Sequence, residues 1–199
     1  MAKKEIKVIF LGAGGVGKTS LINRYINHIY DEYQNPTVGS SYVSKRINYN
    51  NKDYNFNIWD VAGAEKYRSL SKFFIKESNI IVLVYDITSK KSFLDLQFYL
   101  DTILDNINYK ISIILVGNKK DLYNNIEIKE SVGNNFAKVI KAKFAEVSAK
   151  NNDNEWNEFF ENALKDYIKQ IEKTIEINYD YSDNEGYNID DYLDIFEKI

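Results

Sequence analysis

A lysine and a hydroxyl residue placed behind a run of glycines are the chemically most telling part of this chain. Gly12-Ala13-Gly14-Gly15-Val16-Gly17-Lys18-Thr19 fits the pattern GxxxxGK[ST] at every fixed position. Glycines let a backbone curl so that successive N–H groups turn toward anionic oxygens. A helix beginning at Lys18 would add the positive end of its dipole. Lys18 would bring a full charge to the β- and γ-phosphates, and Thr19 a hydroxyl to Mg²⁺. Phosphate binding is therefore expected of Gly14, Gly15, Val16, Gly17, Lys18, Thr19 and Ser20. This pattern points to a nucleoside triphosphate without saying which base.

A second group addresses the base. Asn118-Lys119-Lys120-Asp121 follows the apolar run that ends at Val116-Gly117. A carboxylate here can accept two hydrogen bonds, from the N1–H and exocyclic amine of guanine. Adenine offers no such pair, and a site built around a carboxylate rejects it by leaving acceptors unpaired. Asn118 and Lys119 would brace the loop, with the Lys119 stem along the ring.

These groups need a scaffold, and the sequence describes one. Short apolar runs alternate with helical periodicity, the signature of an α/β sheet. Residues 6–11 read as a strand, the glycine turn follows, and a helix is predicted over 18–29. Tyr54, Phe56 and Ile58 alternate with Asn55 and Asn57, giving a strand that pairs through a turn at 50–53 with another over 42–49. Residues 80–85 and 113–116 are continuous apolar runs, as in central strands covered on both faces. Residues 144–147 give a weaker last strand. Helices are predicted over 92–106, 128–142 and 154–175. In the last of these Trp156, Phe159, Phe160, Ala163, Leu164, Tyr167, Ile168 and Ile171 share one face.

Over residues 5–175 the chain resembles the small GTPases of the Ras superfamily. The resemblance implies a three-layer α/β fold: a six-stranded, mostly parallel sheet with one antiparallel strand and helices on both faces. It also implies GTP/GDP and Mg²⁺ as ligands. Ser148-Ala149-Lys150 matches the third base-binding loop, with the Ala149 N–H directed at the guanine carbonyl, and Tyr30 stands where the family places an aromatic across the base. Pro36-Thr37 resembles the first switch, in which Thr37 joins Thr19 on the metal only when the γ-phosphate is present. Asp60-Val61-Ala62-Gly63 resembles the second, with Asp60 on the metal through water and the Gly63 N–H on the γ-phosphate. Lys18, Thr37 and Gly63 are the expected catalytic contributors. Ile58-Trp59-Asp60, residues 66–70 and residues 83–88 resemble the Rab branch, which implies effectors, exchange factors and activating proteins as partners and a role in vesicle trafficking.

Three features depart from that pattern. Ala64 stands where most Ras and Rab proteins carry the Gln that orients the attacking water. A methyl group can neither donate nor accept a hydrogen bond, so slow intrinsic hydrolysis is expected. Val38-Gly39-Ser40-Ser41-Tyr42 differs from the usual IGVDF. Finally, Cys is absent, and residue 2 is Ala, so thioether and myristoyl anchors have no acceptor in this chain. If the chain is complete, a cytoplasmic monomer is expected, reaching endomembranes only through partners. A longer natural chain would leave room for a lipid site.

Net charge is −3, unevenly placed. Residues 176–199 hold eight acidic side chains and one basic, a net −7, which leaves residues 1–175 at +4. A mildly basic domain followed by an acidic tail does not suggest a nucleic-acid binder. No stretch reaches the ~18 apolar residues of a membrane helix. In the tail Ile189, Tyr192, Leu193, Phe196 and Ile199 would lie on one helical stripe with acids opposite, suited to docking on the domain or a partner. Disorder is the other reading of an acidic tail. The single His28 is expected at the end of the first helix, without a catalytic role. Two other functions fit the motifs. Ala64 would suit a GTP-locked scaffold that barely turns over, and the glycine loop alone would suit a P-loop small-molecule kinase. Asn118 to Asp121 argues against the kinase.

Overall fold

The computed structural model describes residues 4–107, 109–151 and 154–177. In chain order it contains β1 (Lys4–Leu11), α1 (Lys18–Asn27), β2 (Ser40–Tyr49), β3 (Lys52–Val61), α2 (Arg68–Ile75), β4 (Ile80–Asp86), α3 (Lys90–Leu94), α4 (Leu96–Asn106), β5 (Ser112–Asn118), α5 (Glu130–Val139), β6 (Lys143–Glu146) and α6 (Glu155–Ile177). The strands form one sheet in the order β2-β3-β1-β4-β5-β6. Every pairing is parallel except β2 with β3. The two antiparallel strands turn at Asn50 and Asn51, both at positive φ (50° and 60°), the backbone that a two-residue hairpin requires.

Parallel strands must be covered on both sides, and each face of this sheet has its own core. On one face Phe10, Phe56 and Val82 pack under Leu21 and Tyr25 of α1 and Trp156, Phe160 and Leu164 of α6. Trp156 stacks on Phe160 with ring centroids 4.7 Å apart, and its Nε1–H donates to the Leu21 carbonyl at 2.8 Å, which binds α6 to α1. On the other face Leu11, Leu83 and Leu115 meet Ile75 of α2, Phe93 of α3, Tyr99 and Ile103 of α4, and Phe136 of α5. β4 is buried throughout, as its continuous apolar run predicts.

Several elements differ from the sequence reading, among them α5, which is shorter than the expected 128–142. α1 stops at Asn27 instead of running to residue 29, because His28 turns into the left-handed region (φ 58°) and donates its N–H to the Arg24 carbonyl at 3.1 Å. The helix expected over 92–106 begins at Lys90, where the Ser89 hydroxyl accepts from the Ser92 N–H, and it is divided at Asp95. α2 was not predicted: Leu70, Phe73 and Phe74 do stand at i, i+3 and i+4, but in a helix of eight residues the pattern repeats too few times to stand out. α6 runs to Ile177, across the composition break at Glu176. The acidic tail and its apolar stripe lie outside the described residues.

Candidate nucleotide site

Residues 12–17 join the end of β1 to the start of α1, so the N-terminus of α1 faces the loop just as the motif requires. Gly17 sits at φ 93° with its Cα against the side-chain amide of Asn118, and any Cβ there would collide with it. Lys18 is 6% exposed. Its Nζ donates to the carbonyls of Gly12 and Ala13, both at 2.9 Å. Burial pulls the ammonium pKa down to about 8, opposed in part by the charge of Asp60. Gly63 backs onto the Gly12 carbonyl and this ammonium.

Three oxygens meet beside Lys18. The Thr19 hydroxyl lies 2.9 Å from that of Thr37 and donates to Asp60 Oδ2 at 2.5 Å, and Thr37 Oγ1 donates to the same oxygen at 3.2 Å. These residues come from the first turn of α1, the loop before β2 and the end of β3. Asp60 is 2% exposed, and its Oδ1 is buried without a hydrogen-bond partner. An unpaired buried carboxylate oxygen is unfavourable, and two hydroxyls beside a carboxylate are the hard donor set that suits Mg²⁺. The residues fit the ion.

At the far end of the cleft the base-directed residues come together. Asn118 closes β5, Nδ2 donating to the Val16 carbonyl at 2.8 Å and Oδ1 accepting the Ala149 N–H at 3.1 Å. The N–H expected to meet a guanine carbonyl thus has a protein partner here. Lys119, at φ 71°, pairs with Asp86 Oδ2 at 2.6 Å. Ser148 donates its hydroxyl proton to Asp121 Oδ1 at 2.5 Å, while its oxygen accepts the N–H groups of Lys150 and Asn151 at 3.1 Å each. One carboxylate oxygen of Asp121 is therefore committed to bracing the loop. Lys150 reaches Glu32 at 3.0 Å, and Tyr30 lines the same cleft, which has a volume of about 440 Å³. Gly14, Gly15, Lys18, Thr19, Ser20, Thr37 and Gly63 line its phosphate end.

Two residues that brace the site escaped the sequence reading. Arg24, buried inside α1, donates Nε–H to the Ala149 carbonyl at 3.0 Å and an Nη2–H to the Lys150 carbonyl at 3.1 Å. It holds the third base loop to the helix that follows the phosphate loop. Tyr99 of α4 donates its hydroxyl proton to the Gly12 carbonyl at 3.0 Å. Both lie far in sequence from what they hold, so no local spacing announces them. Ala64 is exposed at the cleft wall, and a second cavity of about 260 Å³ opens beside it, lined by Gly14, Gly63, Glu65, Ser89, Lys91 and Asp95 among others.

A glycine loop leading from β1 into α1, on a six-stranded sheet with one antiparallel edge strand, is the architecture of a Ras-like P-loop GTPase domain. Over residues 7–171 the sequence matches the Ras family. Human Rab-22A is 38% identical over 151 residues, covering 76% of this chain and 78% of that protein, and the mouse protein of the same name matches to the same extent. RabJ of Dictyostelium discoideum is 33% identical over 176 residues, 85% of this chain and 69% of RabJ. The chain belongs to the Ras family of small GTPases, and within it is Rab-like.

Proposed function

We propose that the cleft binds GTP and GDP with Mg²⁺ and that the chain works as a Rab-like switch in membrane trafficking, read by effector proteins and reset by exchange factors and activating proteins. The observation that carries this reading is the convergence of Thr19, Thr37 and Asp60 beside Lys18, with Asn118, Asp121 and Ala149 at the other end of one cleft. Lys18, with the backbone of residues 14–20, holds the phosphates. Asp121 and Ala149 read the guanine edge, Asn118 and Ser148 hold those loops together, and Lys119, Lys150 and Tyr30 border the ring. Thr19, Thr37 and Asp60 would hold Mg²⁺, which when bound would neutralise charge on the phosphate oxygens.

In hydrolysis a water oxygen bonds to the γ-phosphorus while the bond to the β–γ bridging oxygen breaks, giving GDP and inorganic phosphate, with the water's protons passing to phosphate and solvent. Positioning and charge stabilisation supply most of the rate. Lys18 stabilises the growing negative charge, and the Gly63 N–H donates to the γ-phosphate. Thr37, in contact with Thr19 and Asp60, is placed as a closed first switch would place it. Losing the γ-phosphate removes the reason for Thr37 and Gly63 to stay, so partners read the nucleotide through the order of these loops.

Ala64 supports a second reading, a GTP-loaded scaffold whose turnover depends on a partner. Titration of the purified chain with labelled GTP, GDP and ATP, with and without Mg²⁺, tests the common ground of both. Tight, Mg²⁺-dependent binding of guanine nucleotides is expected. Preference for ATP would instead favour a small-molecule kinase.

A further inference from the structure

The side of β2 and β3 next to α2 carries aromatic rings that no described element covers. Tyr42 and Trp59 are cross-strand partners with ring centroids 5.0 Å apart, and Trp59 lies 5.5 Å from Phe74 of α2. Tyr42 is 53% exposed, and Phe73, the neighbour of Phe74 in α2, 73%. A contiguous aromatic surface of this kind marks a place where something binds. On the sheet Arg46 pairs with Asp53 at 3.8 Å and Lys7 lies near Glu5 and Glu77, so the basic groups offered to an acidic partner are Lys72 on α2 and Lys76 just after it, both exposed.

The chain contains a complementary segment. Residues 189–199 place Ile189, Tyr192, Leu193, Phe196 and Ile199 at helical spacing, with Asp190, Asp191, Asp194 and Glu197 between them. The geometry of α6 brings this segment within reach. Glu172 accepts from Lys52 Nζ and the Tyr54 hydroxyl, both at 2.8 Å, so α6 passes the β2–β3 turn, and Ile177 lies about 7.5 Å beyond along the helix. From that turn back to Tyr42 is about 23 Å of strand. Residues 178–188 span up to about 36–40 Å when extended. A helix over 189–199 would be about 16 Å long, enough to cover the Tyr42–Trp59–Phe74 row.

We infer that residues 189–199 dock in cis, as an amphipathic acidic helix, on the aromatic surface formed by Tyr42, Trp59, Phe73 and Phe74. Leu193 and Phe196 lie on the rings, and the acids face Lys72 and Lys76. Docked there, the segment covers the surface between the loop carrying Thr37 and the loop carrying Ala64, and any partner using that surface must displace it. The charge pairing makes the contact weaken as salt rises.

The test uses the full chain, loaded with GDP throughout. Trp156 is 2% exposed, so of the two tryptophans Trp59 is the one that answers to a collisional quencher. Acrylamide quenching is expected to rise about two-fold in the double variant Leu193→Asp, Phe196→Asp, as a covered ring becomes half-exposed. Phe73→Ala is expected to raise quenching in the otherwise unsubstituted chain and to add little to the tail variant, since both remove one contact. A peptide of residues 187–199 added to the tail variant is expected to restore protection. Quenching equal in the tail variant and the unsubstituted chain overturns the proposal. So does protection that grows with protein concentration, which would put the segment on a second copy.

Discussion

Asn118 is hydrogen-bonded to Val16 across 102 residues of sequence, its amide donating to the carbonyl at 2.8 Å. At the same time its Oδ1 accepts the Ala149 N–H. One side chain thus ties the phosphate loop to both base-directed loops. Asn118→Ala leaves a buried carbonyl and a buried N–H without this partner, at about 1–3 kcal/mol for the loss. Guanine nucleotide affinity is expected to fall at least ten-fold and the melting temperature to drop, measured by equilibrium titration and calorimetry.

Gly17 and Gly15 both have positive φ, 93° and 79°, but only Gly17 abuts Asn118, while Gly15 has open space where a Cβ would go. Gly15→Ala is expected to destabilise by the left-handed backbone alone, about 1–2 kcal/mol. Gly17→Ala adds displacement of the Asn118 amide and is expected to be the more harmful of the two. Thermal melts of both variants read the order, and equal losses would refute it.

Ala64→Gln restores an amide able to orient water at the cleft wall. Single-turnover hydrolysis is expected to accelerate on the order of ten-fold. No change would mean that another group already places the water, which removes the case for a persistently loaded form.

Glu146 ends β6, two residues before Ser148. Burial first, and the charge of Glu130 second, raise its pKa to about 7, with Lys120 opposing them. Its Oε1 and the hydroxyl of Tyr85 are both buried without a hydrogen-bond partner, and both approach Gly117. From about pH 4.5 to 7 the folded chain therefore holds a proton at Glu146 that the unfolded chain has released. Stability from this group is complete below that range and is lost as pH rises through it. Glu146→Gln is expected to melt at an increasingly higher temperature than the unsubstituted chain between pH 5 and pH 8. A constant difference would show that Glu146 does not titrate there.

The parts of the site that were legible in the sequence are those whose physics is local. Gly12 to Thr19 and Asn118 to Asp121 each carry their chemistry within a few residues, and the strands that hold them are continuous or alternating apolar runs. Arg24 and Tyr99 were not legible, because an arginine in a helix and a tyrosine on an apolar face look the same whether or not they reach a distant carbonyl. α2 was missed because its apolar spacing, Leu70 with Phe73 and Phe74, extends over only eight residues. The end of α1 was misjudged because the turn is made by His28, a residue other than glycine, at positive φ. The tight turn at Asn50 and Asn51 fell within the expected 50–53, since asparagine tolerates that backbone.

β4 is buried along its whole length, whereas β2 lies at the edge of the sheet with most of its residues exposed or half-buried. The two strands therefore belong to different levels of amide protection. Protons of β4 can exchange with deuterium only when the whole domain opens, while those of β2 exchange through local peeling from β3. Thr37 lies three residues before β2 begins, so each peeling event loosens the anchor of its hydroxyl beside Thr19. Exchange at the β2 edge is therefore expected to track the opening of the loop that carries Thr37, at a lower free energy than unfolding of the domain.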